Sequence, residues 1–422
     1  MATITENLKT IKDSTTAIKQ AILDKGGEVG DLTTYAEAIT NLPSGEADPN
    51  PTAEKNDVTF YDYDGTIRYS YTADEFLALS DLPPLPTQPG LICQEWNWSF
   101  DDAMEYVAEY GVLDVGATYI TDDGKTRLYI RIDFIEGMEL PMYFSQTIAN
   151  GVVIDWGDES PTETLDGTGK VNTTHRYTSA GDYCISLDVV DGCTMMLGSD
   201  SNDNYLFGTA MRCNGTLLKV EIGNNMPIIG GYTFKNCFCL SAVSIPTSVT
   251  SLKTYALDKS DIDFHLTIPS SVTSLVLGVF ANLNNLKSIS ISPSVTYLDS
   301  QLLRNKSLLK RIILPPNATQ LSGLLCGACY RLKNVIIPKK YSLIMASAFD
   351  SCYVVAYYDF SHHTAVPTLA NINAFTGIPD DCKIIVPDVL YDEWIAATNW
   401  SAYATYTIKK SDWDNLKQGG SL

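Results

Sequence analysis

Ile245-Pro246-Thr247-Ser248-Val249-Thr250-Ser251-Leu252 recurs 23 residues later as Ile268-Pro269-Ser270-Ser271-Val272-Thr273-Ser274-Leu275. A ruler of that length, laid from Leu217, aligns whole columns of residues. One column reads Leu217, Leu240, Asp263, Leu286, Leu309, Leu332. Three places on come Val220, Val243, Leu266, Ile289, Ile312, Val335, and two further Ile222, Ile245, Ile268, Ile291, Leu314, Ile337. Later columns are Ile229, Leu252, Leu275, Leu298, Leu321, Ile344 and Phe234, Leu257, Phe280, Leu303, Cys326, Phe349. Apolar positions two apart share one face of a strand, and Pro246, Pro269, Pro315 and Pro338 stop each strand before the chain turns. Such a rung exposes apolar surface that only its neighbour covers, so the columns predict a stacked solenoid.

Two further columns carry chemistry. Lys287, Lys310 and Lys333 repeat one place after the leucine column, and Arg304, Lys306, Arg311, Lys339 and Lys340 add charge to the same rungs. This basic ridge is either a solvated face or a surface for an acidic partner: the acidic N-terminal half of a neighbouring subunit, or an anionic polysaccharide. The candidate contact residues are Lys287, Lys310, Lys333, Arg304, Lys306 and Arg311. Cys326-Gly-Ala-Cys329 and Cys237-Phe-Cys239 have spacings found in zinc and disulfide motifs. The register places Cys326 in the Phe/Leu column and Cys237, Cys329 and Cys352 in a column with Ser260, spread along the stack, so packing thiols are expected and no metal site.

At 422 residues the chain is long enough for several modules, and 45% hydrophobic against 19% charged residues describes a folding chain. Its formal charge is −21. Residues 1–216 hold 12 Lys/Arg against 36 Asp/Glu, a net of −24, whereas residues 217–360 hold 13 against 7, a net of +6. That balance argues against nucleic acid as a partner. No apolar run approaches the roughly 20 residues of a membrane span, and the N-terminus lacks a signal-peptide pattern, so membrane insertion and export are not expected. Four histidines, no Gly-x-Ser-x-Gly, no phosphate loop and no metal-spaced His/carboxylate helix leave no catalytic residues, metal or cofactor to expect.

Outward from the repeats, the chain divides as follows: helical segment 1–43, linker 44–56, small α+β module 57–123, all-β segment 124–192, solenoid 193–387 and C-terminal cap 388–422. Ile4, Leu8, Ile11, Thr15, Ile18 and Ile22 step by four and three residues, the seam of a self-associating helix, and isoleucine at most seam positions favours a trimer. In the module, Val58 to Tyr71 alternates around Asp64-Gly65 as a hairpin, and helices are expected near Ala73–Ser80 and Ser99–Tyr110. Asp62-x-Asp64-Gly65 resembles part of a calcium loop but has Phe60 where an oxygen ligand is needed.

Val152-Val153-Ile154-Asp155-Trp156-Gly157-Asp158, with His175-Arg176-Tyr177 and Gly181-Asp182-Tyr183, resembles a PKD domain. That resemblance implies an immunoglobulin-like sandwich with Trp156 in its core and a tight turn at Gly157, and it makes His175 a packed residue without a carboxylate partner. The Ile-Pro-x-Ser-Val-Thr-x-Leu runs resemble the BspA-like leucine-rich repeats across 217–360, continuing after an insertion near His362-His363. Segment Asn7 to Ile39 resembles the leading segment of virion structural proteins in tailed phages of gut bacteria. The module from Phe60 to Gly65 through Trp96-Asn97-Trp98 to Thr121–Thr126 is similar to parts of other such phage proteins. The resemblance implies a non-enzymatic virion appendage, made in the host cytoplasm, anchored to other virion proteins and displaying the repeats to host surface or mucus glycans. A head fibre or capsid decoration is favoured; a tail fibre and a bacterial surface adhesin are the alternatives.

Overall fold

The computed structural model describes residues 57–133, 138–198, 205–262 and 265–418. The expected helix seam from Ile4 to Ile22, the linker 44–56 and the column member Asp263 lie outside these residues. The described segments belong to one unit, Lys55–Leu422.

The expected hairpin forms from β1 (Val58–Tyr61) and β2 (Ile67–Tyr71), turning at Gly65 with φ 85°. Thr72 and Glu75 make a reciprocal capping box that opens α1 (Ala73–Leu77). After β3 (Leu91–Trp96), the Ser99 side chain accepts from the Asp102 N–H and opens α2 (Phe100–Tyr110), which Gly111 ends in the left-handed region. β4 (Leu113–Thr121) pairs parallel with β1 and antiparallel with β3, giving the order β2-β1-β4-β3. The buried Asp62 carboxylate accepts from Arg68, Gln88 and the Tyr63 N–H.

The all-β segment supplies β5 (Thr126–Ile132), β6 (Met138–Gln146), β7 (Val152–Asp155), β8 (Gly169–Tyr177), β9 (Gly181–Val189) and β10 (Met195–Leu197). Trp156 is buried as expected, with its carbonyl accepting from the Tyr177 hydroxyl at 2.9 Å. Gly157 has φ 77°, and a Cβ there would stand 2.4 Å from the Cys184 carbonyl oxygen. These strands do not close on themselves. β5 pairs antiparallel with β11 (Leu217–Glu221), and β10 pairs parallel with β12 (Ile228–Ile229). Both sheets therefore run on into the repeats and cover the edges of the first rung, where unpaired strands would otherwise face solvent.

From there the chain makes two columns of short parallel strands. The first continues with β13 (Ala242–Ser244), and the second with β14 (Ser251–Leu252). They alternate through β15 (His265–Ile268), β16 (Ser274–Leu275), β17 (Ser288–Ile291), β18 (Tyr297–Leu298), β19 (Arg311–Ile312) and β20 (Gln320–Leu321). β21 (Asn334–Ile336), β22 (Leu343–Ile344), β23 (Tyr357–Asp359), β24 (Thr368–Leu369) and β25 (Lys383–Val386) complete the stack. Pairing follows the 23-residue ruler, as in Leu266 with Ile289, Leu275 with Leu298 and Leu321 with Ile344. The described members of the apolar columns are all buried, in one core shared with the all-β segment.

Each rung turns through two left-handed residues, one in the series Tyr232, Tyr255, Gly278, Gln301, Leu324, Ser347 and one in Asn236, Lys259, Asn282, Asn305, Ala328, Ser351. A non-glycine residue costs of order 1 kcal/mol in this region. The repeated backbone bonds offset it, Phe234 donating to Ala256 and Asn236 to Asp258 on the next rung. Along the first series, rings lean toward the C-terminal end. Tyr232 stacks on Tyr255 at 5.6 Å, and a Cβ on Gly278 would lie 2.2 Å from the Tyr255 ring. Tyr330 stacks likewise on Tyr353 at 6.0 Å, with the Tyr353 ring over Gly377. At the far end α3 (Tyr391–Ala396) buries Trp394, and β26 (Thr407–Lys409) pairs parallel with β25 ahead of α4 (Lys410–Gln418).

Candidate functional site

Between the two inward positions of each first-column strand lies one residue that points outward. The series reads Ser244, Thr267, Ser290, Ile313, Ile336. An open solenoid would place these in water, yet Ser244, Thr267, Ser290 and Ile313 are buried, because the α+β module lies on them. Asn97 fixes the docking. Its amide nitrogen donates to the carbonyls of Ile268 (2.9 Å) and Ser290 (3.1 Å), and its oxygen accepts from the Gly116 N–H and the Ser290 hydroxyl. All four of its hydrogen-bonding positions are thereby used. Tyr61 stacks on His265 at 4.4 Å, and Gly116 approaches so closely that a Cβ would sit 2.1 Å from Thr267 Oγ1. Ion pairs close the seam: Arg311 with the buried Asp114, and Lys339 with Glu109 at 2.8 Å. Burial works against the Arg311 charge, but the Asp114 carboxylate holds the guanidinium above its ordinary value.

This arrangement sorts the expected basic ridge. Lys287, Lys310, Lys333 and Arg311 converge on one cleft of about 410 Å³, lined also by Tyr61, Gly65, Ser288, Leu308 and Asn334. Arg311 is turned to Asp114 of its own chain. Arg304 does not line this cleft and donates to Gln301. Lys306 is not a surface residue at all. It follows the Cys329 column, 23 residues earlier, and is buried with its ammonium nitrogen donating to the carbonyls of Phe280 and Arg304. Burial pushes its amine down to about 7.

The cysteine columns also differ from expectation. Instead of spreading their thiols along the stack, they bring Cys326 and Cys352 within hydrogen-bond reach of Cys329, beside Lys306. Cys329 Sγ donates to Leu303 O and Cys352 Sγ to Cys326 O, both at 3.2 Å. All ten cysteines are free. Among the described residues no group of three or more His, Cys, Asp or Glu is placed to hold a metal ion.

A second groove, of about 670 Å³, opens on the other border of the module and was missed in the sequence. Its walls come from Asp81 to Leu85 and Gln94 to Ser99 on one side, and from Ser270, Ser292, Pro293, Ser294 and Asn317 on the other. Among the described residues Asp81, Glu95 and Asp102 line it, and no Lys, Arg or His does. Trp98, buried against Tyr106, reaches its wall. The two borders of the seam thus carry opposite charge. His175 gains the carboxylate partner it was expected to lack, Asp158 at 2.8 Å, while its ring stacks on Trp156 at 4.6 Å. The pair supports the core; it lines neither cleft.

Residues 227–356 match the BspA type leucine-rich repeat region, in six copies. Two solved structures are similar in part. One is a leucine-rich cell surface protein from Faecalibacterium prausnitzii A2-165, at 16% identity over 46% of this chain and 64% of that one, with a TM-score of 0.28. The other is a leucine-rich-repeat protein from Bacteroides ovatus ATCC 8483, at 18% identity over 50% of this chain and 61% of that one, with a TM-score of 0.31. The chain thus spans less than two thirds of either. No curated protein matches it. Among the described residues no helix is long and apolar enough to cross a membrane.

Proposed function

We propose that this chain binds and displays rather than catalyses: a virion appendage of a tailed phage, a head fibre or capsid decoration. In this reading residues 1–43 join it to its own copies and to other virion proteins, while the repeats face host surface or mucus glycans. The observation that supports a binding role is the seam. Repeat stacks offer surfaces built from equivalent positions on successive rungs. Here a docked module covers the middle of one such surface and leaves two clefts of opposite charge at its borders. The virion setting rests on the resemblance of segment 7–39 and of the module to phage proteins; neither nucleic acid nor membrane insertion belongs to it.

Mass spectrometry and tagged imaging of purified particles test the setting. Recovery on the bacterial envelope and absence from particles would move the protein to the cell surface. Host-cell adsorption of the purified chain tests binding, and release of sugar ends from the same surface would overturn the non-enzymatic reading.

A further inference from the structure

The acidic groove narrows the ligand class, on the basis of the binding role just proposed. One of its walls crosses successive rungs: Ser270 and Pro293 occupy equivalent places 23 residues apart, and so do Ser294 and Asn317. The other wall includes the apolar run Leu82 to Leu85, pinned by the Trp96 indole N–H, which donates to the Pro83 carbonyl at 2.8 Å. Trp98, two residues on, has the same group and no such partner. Its ring lines the groove, is 1% exposed and leaves Nε1 without a hydrogen bond among the described residues. A buried donor left unpaired in a native fold calls for an acceptor that folding does not supply. The carboxylates on the same groove call for the opposite. Glu95 accepts from the Ser270 hydroxyl and Asp102 from the Ser99 hydroxyl, and a carboxylate with about four acceptor sites keeps most of them for further donors.

We propose that this groove binds an uncharged sugar of a glycan chain, its apolar C–H face on Leu82 to Leu85 and its hydroxyl edge toward the serine-bearing turns of the repeats. A sugar hydroxyl both donates and accepts, so neighbouring hydroxyls of one ring meet the Glu95 and Asp102 carboxylates and the Trp98 N–H together. An anionic sugar brings its charge against Asp81, Glu95 and Asp102. A lysine side chain satisfies the carboxylates but has no acceptor for the indole. The groove, of about 670 Å³, has the size of a small-ligand site, with apolar surface and a few placed polar groups. Binding turns the Trp98 ring toward the ligand, which makes its emission a reporter of occupancy.

The probes are cellotriose, mannotriose and lacto-N-tetraose, with trigalacturonate and tetralysine as comparisons, titrated into the full chain by calorimetry and tryptophan emission. Expected are saturable, salt-insensitive binding of at least one neutral probe with a change in emission, and none of trigalacturonate. Trp98→Phe keeps a buried ring and drops the N–H, while Leu85→Ala trims an exposed side chain of the apolar wall. Each is expected to weaken binding about fivefold, and Trp98→Phe to lose the emission change. Leu85→Ala is expected to unfold at the wild-type temperature, which separates its loss of binding from misfolding. Lys333→Gln, in the lysine cleft, is expected to change nothing. No binding of any neutral probe, tighter binding of trigalacturonate or tetralysine, or equal affinity in wild type and both groove variants each overturns the proposal. Host-cell adsorption unchanged in the Leu85→Ala/Trp98→Phe double variant would leave the binding role standing and sink only this assignment. Sugar binding at the groove by a chain found on neither particles nor cells would do the reverse.

Discussion

Replacing Lys306 with methionine removes a buried amine while keeping most of its length. Burial lowers this amine from 10.5 to about 7, so between those values the unfolded chain holds a proton that the folded chain does not. Stability therefore rises with pH through the window, and below pH 7 the penalty is constant. One pH unit is worth about 1.4 kcal/mol, which places the wild-type penalty at about 4 kcal/mol at pH 7 and about 2 kcal/mol at pH 9. Methionine carries neither. It also leaves the carbonyls of Phe280 and Arg304 without the Lys306 bonds, a cost of about 1–3 kcal/mol per group that does not vary with pH. The signature is thus the slope: the difference in unfolding free energy, variant minus wild type, falls by about 2 kcal/mol from pH 7 to pH 9. Urea unfolding of both proteins under reductant at pH 7, 8 and 9 measures it, since titrating groups away from Lys306 and its neighbouring thiols cancel in the difference. Parallel profiles would refute the reasoning. A slope that disappears in Cys329→Ser would assign the effect to the thiol and not to desolvation of the lysine.

Arg311→Ala takes the guanidinium away from the buried Asp114 and is expected to cost about 3–5 kcal/mol, much of it recovered by adding Asp114→Asn; thermal unfolding of both variants reads this. Asn97→Asp turns an oxygen toward the Ile268 and Ser290 carbonyls and should destabilise more than Asn97→Ala, itself worth about 2–4 kcal/mol. Gly116→Ala forces a Cβ onto Thr267 and His265 and is expected to undock the module while the repeats persist. Hydrogen exchange rising at Ser244, Thr267 and Ser290, with the Leu275 and Leu298 rungs still protected, is the expected pattern.

The ruler from Leu217 exposed the solenoid because each rung repeats the same burial problem at the same spacing, and the hairpin and both module helices carry local signals in Gly65, Thr72 and Ser99. The seam left no comparable trace. Asn97 and the Ile268 carbonyl it binds are 171 residues apart, and side chains as small as Ser244 and Ser290 do not announce a covered face. Ile313 and Ile336 do depart from that pattern, being apolar on the outward side of a strand. Lys306 misled for a related reason. Its type predicts solvent, and only its place in the Cys329 column shows that the chain carries it inward. Of the six basic candidates, four meet at one cleft because they flank strand starts on adjacent rungs. Arg304 and Lys306 lie in the turn, where the same numerical proximity leads elsewhere.

The leaning tyrosines give the array a reading direction. Each ring rests on the rung that follows it, and each run ends where a glycine leaves room for the last ring, at Gly278 and at Gly377. Rungs that share a length and a set of core columns are for this reason not interchangeable cassettes. Copying the rung that begins at Leu286 is expected to leave these rings undisturbed while carrying Arg311 and Lys339 one rung away from Asp114 and Glu109. Inserting a rung with Gln301, Leu324 or Ser347 at this turn between Tyr255 and Gly278 would set a Cβ against the Tyr255 ring. The history of duplications that such a chain can tolerate is therefore written in its surface rings as much as in its core.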